Sequence, residues 1–156
     1  MKDIKGCLSH NTDEWRTPSV LYRAFMSEGF KDPCPFGADF DGLKLQYHND
    51  KLFVNLPFSK LKEWVEWCIK QYLNNNCEIY LLMPSRTDTR YFHRVYEMLP
   101  VYYFLQGRLH FNDSKECAPF PTVILHLSHD DSFKGRVVSC NLDYFVNAVL
   151  FNDYGY

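Results

Sequence analysis

Residues 52–83 constrain the fold more than any other stretch of the chain. Leu52-Phe53-Val54 is a short apolar run ending at Asn55-Leu56-Pro57-Phe58. Leu61, Trp64, Val65, Cys68, Ile69, Tyr72 and Leu73 then recur at the i, i+3, i+4, i+7 spacing that puts one apolar stripe along a helix. Ile79–Met83 is a second apolar run, closed by Pro84. A buried strand, a one-sided helix and another buried strand make a crossover unit, and such units build parallel sheets. Trp67 falls off the stripe and is expected to be exposed.

The flanking segments extend this pattern. Thr17-Pro18 suits a helix start, with Thr as N-cap and Pro at the first helical position. Leu21, Ala24 and Phe25 follow, and Gly29 is a left-handed stop. A short strand is expected around Phe30–Asp32, then a loop over 35–50. Ser59 is the expected cap of the long helix, and Asn74–Asn76 its end. Thr87 or Asp88 caps a third helix carrying Tyr91, Phe92, Val95 and Tyr96. Val101–Leu105 and Thr122–Leu127 read as strands, Arg108–Phe111 as a companion strand and 136–139 as an edge strand. Leu142, Phe145, Val146, Val149 and Leu150 mark a terminal helix. The expected class is α/β: a reduced Rossmann-like, mainly parallel sheet with an antiparallel edge and helices on both faces. Residues 1–156 form one domain, with 1–14 a flexible arm and no separate target-recognition domain.

Composition narrows the function classes. The chain has 156 residues, a net charge of −2 and no basic excess, so no global positive field draws it to nucleic acid. Six cysteines occur without a C-x-x-C pair, which argues for reduced, mostly buried thiols and against a zinc framework. The segment from His126 to Asp131 carries metal-capable side chains, but His126 and His129 would face opposite sides of a strand, so a surface loop and no metal are expected. No apolar run reaches membrane-spanning length, and the expectation is a cytoplasmic chain without a membrane partner.

In sheets of this class ligands sit where parallel strands end, which directs attention to Asn55–Phe58 and to Pro84–Asp88. An Asn followed by a Pro-containing turn and an aromatic suits one task. An exocyclic amine such as adenine N6 is a poor nucleophile, because its lone pair is delocalised into the ring. Two acceptors that take both N–H bonds favour a pyramidal nitrogen with an outward lone pair. Asn55 offers its side-chain oxygen and Leu56 its main-chain carbonyl. Pro57 stiffens the turn, and Phe58 offers a face to a base taken out of the duplex. The same four residues also serve as a plain loop, with Asn55 holding backbone groups and Phe58 filling the core.

The surrounding motifs occur in a particular order: Asp13-Glu14-Trp15-Arg16-Thr17-Pro18, Asp32-Pro33-Cys34, Asp41-Gly42-Leu43, Phe53-Val54-Asn55-Leu56-Pro57-Phe58, Leu82 to His93, Gly107-Arg108-Leu109-His110-Phe111 and Ala118-Pro119-Phe120-Pro121. Over roughly residues 13–127 this series resembles the phage-type DNA N6-adenine methyltransferases. The resemblance implies an S-adenosylmethionine-dependent enzyme that methylates adenine in DNA inside a bacterial host of a phage or prophage. It implies Asn55, Leu56, Pro57 and Phe58 as the catalytic turn. Trp15, Thr17, Pro18, Asp32, Pro33, Cys34, Asp41 and Leu43 become cofactor contacts, with Asp32–Cys34 at the methionine end and Asp41 on the ribose. Arg86, Arg90, His93 and Arg108 are implied as DNA-phosphate contacts, although Arg86 beside Asp88 reads equally as a structural ion pair. Phe120 flanks the base pocket or packs in the core.

Two departures matter. Pro35-Phe36-Gly37 replaces the small residues usual in the first cofactor turn, and Leu56 stands where the family usually has Pro. Only 22 residues lie between Asp32 and Asn55. Two strand–helix units need far more, so the sheet is expected to be abridged, with Asp39 or Asp41 supplying the ribose carboxylate. With no recognition insert, low sequence specificity, a homodimer or an accessory protein is expected. The rival readings are a degenerate relative that binds without turnover, for which Leu56 speaks, and a methyltransferase for a non-DNA amine, for which the slight negative charge speaks.

Overall fold

The computed structural model of the chain describes residues 15–151, so the expected flexible arm and the Asp13-Glu14 part of the first motif lie outside the described residues. In chain order the main elements are α1 (Ser19–Ser27), β1 (Lys51–Asn55), α2 (Leu61–Asn75), β2 (Glu78–Pro84), α3 (Arg90–Tyr96), β3 (Val101–Leu105), β4 (Thr122–Leu127), β5 (Val137–Cys140) and α4 (Leu142–Tyr144). A π-helical stretch, Phe145–Leu150, continues α4. The five strands form one open mixed sheet in the order β1-β2-β4-β3-β5. β1 pairs parallel with β2 and β3 with β5, while β4 runs antiparallel to both of its neighbours. The class is α/β, as expected, but the reversed strand lies at the centre of the sheet rather than at its edge. The expected edge strand exists as β5 and is parallel.

Strand periodicity divides the core into two layers. Leu52 and Val54 of β1, Ile79, Leu81 and Met83 of β2, and Val123 and Leu125 of β4 pack with Trp64, Val65, Cys68 and Ile69 of α2 and with Phe92 and Val95 of α3. The alternate residues Phe53, Tyr80, Leu82 and Ile124 pack on the other face with Leu21 and Phe25 of α1 and with Phe145 and Val146. Helices therefore cover both faces. Phe25 stacks on Phe53 at 4.1 Å between ring centroids, an aromatic contact that adds about 0.5–1.5 kcal/mol beyond area burial.

Several local expectations are corrected. The segment at Phe30–Asp32 contributes one parallel bridge, Lys31 to Leu52, rather than a strand. Trp67 is only 7 % exposed and Leu73 is 58 % exposed. The reason is the loop over 42–47. It folds across α2, accepts a hydrogen bond from Trp67 Nε1 at the Leu45 carbonyl (3.1 Å) and sets Tyr47 edge-on to the indole. The buried face thus turns toward Trp64, Trp67 and Gln71, and Leu73 lies about 240° round the helix from Trp67. Arg108–Phe111 is not a strand. Leu109 and Phe111 are buried as pegs of a loop that turns at Gly107 (φ +86°), and the Leu109 carbonyl accepts from the Ala118 N–H. His126 lies within β4, mostly buried, bonded to Glu78 at 2.8 Å and stacked on Tyr80 at 3.9 Å. It is a packed strand residue, not part of a surface loop.

Helix starts differ as well. Pro18 holds the N-cap position of α1, and the Asp113 carboxylate, remote in sequence, accepts from the Ser19 N–H at 2.9 Å. Lys60 rather than Ser59 precedes α2, and Thr89 rather than Thr87 or Asp88 precedes α3, neither with a side-chain cap. Two expected stops hold: Gly29 and Asn76 both adopt positive φ at helix ends. Of the described cysteines all are free thiols, Cys68, Cys77 and Cys140 buried, Cys34 half-buried and Cys117 exposed.

Candidate functional site

β1 ends at Asn55 beside Leu82 of β2, and the chain then leaves the sheet through Leu56-Pro57 into a 3-10 turn, Phe58–Lys60. A cleft of about 800 Å³ opens at this end of the sheet. That volume lies within the range of small-molecule sites, roughly 300–1,000 Å³. Its walls come from three segments, 15–22, the 32–42 loop and 55–64, with Asp113 added from a fourth. Among the described residues no group of His, Cys, Asp and Glu is arranged to hold a metal.

Asn55 lines the cleft, and its amide is fixed at one end. Nδ2 donates to the Trp15 carbonyl at 2.6 Å and to Thr17 Oγ1 at 3.1 Å. A main-chain carbonyl can only accept, so the NH2 group must face Trp15 and the orientation of the amide is not arbitrary. Oδ1 accepts from no described residue and is not sealed from solvent, so the acceptor end is accessible on a residue that lines the cleft. The two readings of Asn55 thus coexist: its NH2 group holds backbone, and its oxygen stays available. The Asn55 carbonyl in turn accepts from Cys34 Sγ at 3.4 Å, which ties the turn to the 32–34 segment.

Leu56 borders the cleft while its side chain is buried in the core under α2. Its N–H donates to the Leu82 carbonyl at 3.1 Å. A proline here would lack that donor, so the turn is held by a sheet hydrogen bond instead of by a second ring. Pro57 follows with φ −61°. Phe58 is half-buried in an aromatic group, 5.8 Å from Trp15 and 5.1 Å from Phe120 between centroids. Phe120 itself is buried and meets Trp15 edge-on at 5.2 Å, so it packs behind Phe58.

Asp32 also lines the cleft. Its Oδ1 accepts from the Cys34 N–H at 2.9 Å, a local turn that fixes the carboxylate. Burial pushes the Asp32 carboxyl up to about 6, against the smaller lowering effect of that hydrogen bond. No ion pair among the described residues neutralises it. Tyr22, on α1, faces it across the cleft, and its hydroxyl is raised first by burial and then by the Asp32 charge. Asp41 is exposed at the rim, where its carboxylate accepts from the Leu43 N–H at 3.2 Å.

The remaining expected residues fall outside the cleft walls. Leu43 packs against the core below α2. The Pro33 carbonyl lies against Gly42. Pro18 and Arg108 border a second, smaller groove, where Arg108 reaches the Ala118 carbonyl at 3.4 Å. Arg86, Arg90 and His93 do not line the cleft. His93 Nε2 bonds the Thr87 carbonyl at 2.8 Å, and Arg86 makes no ion pair with Asp88 among the described residues.

Sequence reading missed four contributors. Ser19 and Tyr22 line the cleft from the flank of α1 beside its buried Leu21–Phe25 stripe, an i, i+3 pair with Tyr22 also packed against that core. Asn112 and Asp113 hold the 15–19 segment: Asn112 N–H donates to the Arg16 carbonyl and Asn112 Oδ1 accepts from the Arg16 N–H, both at 2.9 Å. Both residues have positive φ, which Asn and Asp tolerate better than most. Their only sequence signal is the Asn-Asp pair itself.

The fold and cleft define an α/β protein with an open mixed sheet and a ligand-sized cleft at the ends of its parallel strands. No family model, curated protein or solved structure matches the chain.

Proposed function

We propose that this protein is an S-adenosylmethionine-dependent methyltransferase acting on the exocyclic N6 amine of adenine in DNA. The observation that carries the reading is the half-committed amide of Asn55, its donors fixed on Trp15 and Thr17 and its oxygen left accessible on a cleft-lining residue. A free amide at a cleft would rotate and offer either end to a ligand. This one offers an acceptor, the polarity that an NH2 substrate needs.

The residues present fit the cofactor. The half-buried Asp32 carboxylate, without an ion pair among the described residues, suits an ammonium group, Asp41 at the rim suits a diol, and the volume suits a nucleoside with its amino-acid arm. When bound, S-adenosylmethionine supplies a methyl group made electrophilic by its sulfonium sulfur. The chain's own part is positional. Asn55 Oδ1 and the Leu56 carbonyl take the two N–H bonds of the amine, which localises its lone pair. An amide oxygen is too weak a base to remove the proton, so the oxygen orients the amine without deprotonating it. Pro57 and the Leu56–Leu82 hydrogen bond keep both acceptors in place before substrate arrives, so no reorganisation is needed at reaction. Phe58, backed by Trp15 and Phe120, presents a supported face for the base.

Transfer of tritium from labelled S-adenosylmethionine to DNA, RNA and protein in parallel tests the reading. Label is expected in DNA adenine, and Asn55→Ala is expected to lose it by about 100-fold or more, as loss of a preorganised polar partner does elsewhere. An Asn55→Ala protein that methylates DNA at the wild-type rate refutes the mechanism. One observation favours a second reading, a non-DNA amine as acceptor: Asp32, Asp41 and Asp113 line the cleft against Arg16 and Lys60 alone. Label in RNA or protein but not in DNA would select it.

A further inference from the structure

We propose that Phe36 and Phe40, together with Arg16, form the wall that holds the purine ring of a nucleoside cofactor, and that this wall selects an uncharged or cationic nucleoside over a phosphate-bearing one. The inference rests on the methyltransferase reading and adds a binding surface to it. Both rings line the cleft, yet Phe36 is 55 % and Phe40 47 % exposed. Neither touches another aromatic ring of the described residues, whereas Phe25, Phe53, Phe58, Phe111 and Phe120 all do. Two large, partly exposed rings at the mouth of a ligand-sized cleft offer a surface on which a flat heterocycle can stack.

Their display is built into the loop rather than left to chance. Ala38 N–H donates to the Pro35 carbonyl at 3.1 Å with Gly37 at φ +74°, so Phe36 stands at the first corner of a tight turn and projects outward. Gly42 packs directly on the Pro33 carbonyl and on Trp64, which anchors the far end of the same loop beside Phe40. The Arg16 guanidinium lies 4.2 Å from the Phe36 ring centroid, and the Arg16 backbone is pinned in both directions by Asn112. A cation over one face of a ring leaves the other face for a base. The loop also occupies the stretch of chain, 33–50, in which a longer sheet would have placed further strand–helix units. Without those units, this loop itself brings two rings to the wall that also carries Asp32 and Asp41.

Charge decides between the two sources of a purine. Asp39 and Asp41 flank Phe40 in sequence, and three carboxylates line the cleft against two cations, with Lys44 3.8 Å from Asp41 at the rim. A phosphodiester laid along this wall would find no net attraction there, while a nucleoside carrying an ammonium arm would meet the Asp32 carboxyl in the same cleft.

The test is isothermal titration calorimetry of wild type, Phe36→Ala, Phe40→Ala and the double variant with S-adenosylhomocysteine, adenosine monophosphate and a short single-stranded oligodeoxyadenylate. Base–aromatic stacking sets the scale, so the double variant should bind S-adenosylhomocysteine about 10- to 100-fold more weakly. Phe36→Tyr should restore most of what Phe36→Ala loses. Wild type should prefer S-adenosylhomocysteine to the monophosphate, and oligonucleotide affinity should not change with the rings. Because both side chains are largely exposed, the variants should melt with the wild type, which separates lost contact from lost fold. A double variant that binds S-adenosylhomocysteine as wild type does overturns this proposal alone. So does a loss confined to the oligonucleotide, which would assign the rings to the strand. A wild-type protein that does not bind S-adenosylhomocysteine at all sinks the methyltransferase reading along with it.

Discussion

Gly42→Ala sets two opposed effects against each other. Gly42 is buried and its φ is not in the left-handed region, so alanine meets no backbone strain there. On chain entropy alone the change should stabilise, by about 0.4–1 kcal/mol. Space gives the opposite sign. A Cβ built at residue 42 falls 1.9 Å from the Pro33 carbonyl oxygen and 2.7 Å from the Trp64 ring, and the first of these is backbone, which cannot swing aside. Overpacking of this kind costs about 1–3 kcal/mol and sometimes more, and the shift needed here places it at the upper end. The net expectation is a loss of roughly 2 kcal/mol or more, a fall in Tm of about 4–8 °C for a chain of this size. Urea denaturation and thermal melting read the stability, and calorimetry with S-adenosylhomocysteine reads the cleft, since the displaced loop carries Phe40 and Asp41. Gly29→Ala is the control: its φ of +81° costs stability, but nothing lies within 4 Å, so cleft binding should persist. A Gly42→Ala protein as stable as wild type would refute the close approach of Gly42 to Pro33.

Three further outcomes follow from the same geometry. Leu56→Pro should destabilise by about 2–4 kcal/mol in urea denaturation rather than stiffen the turn, because it removes both the Leu82 hydrogen bond and a buried leucyl side chain. Asp113→Ala should cost about 1 kcal/mol through the lost cap on α1, and the measured loss should persist in a Ser19→Ala background, since the donor is the main-chain N–H. In the ligand-free protein the raised Asp32 carboxyl makes the folded state hold a proton that the unfolded chain releases. Stability from this group is therefore full below about pH 4, declines as pH rises and levels off above about 6. Asp32→Asn should remove the decline, so its Tm advantage over wild type appears at pH 7 and disappears at pH 4.

Much of the sheet was legible because its strands are short apolar runs closed by turn residues such as Pro57 and Pro84. Leu52 and Val54 face α2 and Phe53 faces α1, and because both faces are covered the strand reads in the sequence as one continuous apolar run. Strand direction was not, since an apolar run reads the same in either sense. The hint lay elsewhere, in the lack of any helical period between Leu105 and Thr122, which leaves β4 no crossover and makes it run back. Trp67 was misjudged because its cover, Leu45 and Tyr47, comes from a loop with no periodicity of its own. At the cleft, Asn55 and Asp32 could be found because each ends an extended segment of the sheet. The clamp of Asn112 on Arg16 could not, because 96 residues separate the partners and no local rule connects them.

The reversal of β4 has an architectural consequence. A parallel neighbour to β3 would have required the chain to travel behind the sheet and begin again at the opposite rim. Here residues 106–121 leave β3 and enter β4 on the same rim as the cleft, and they deliver Phe111, Asn112, Asp113 and Phe120 there on the way. Such a connection can grow or shrink without re-routing any strand. Homologues that differ in what they recognise would be expected to vary in the length of this one bight, while the sheet beneath stays unchanged.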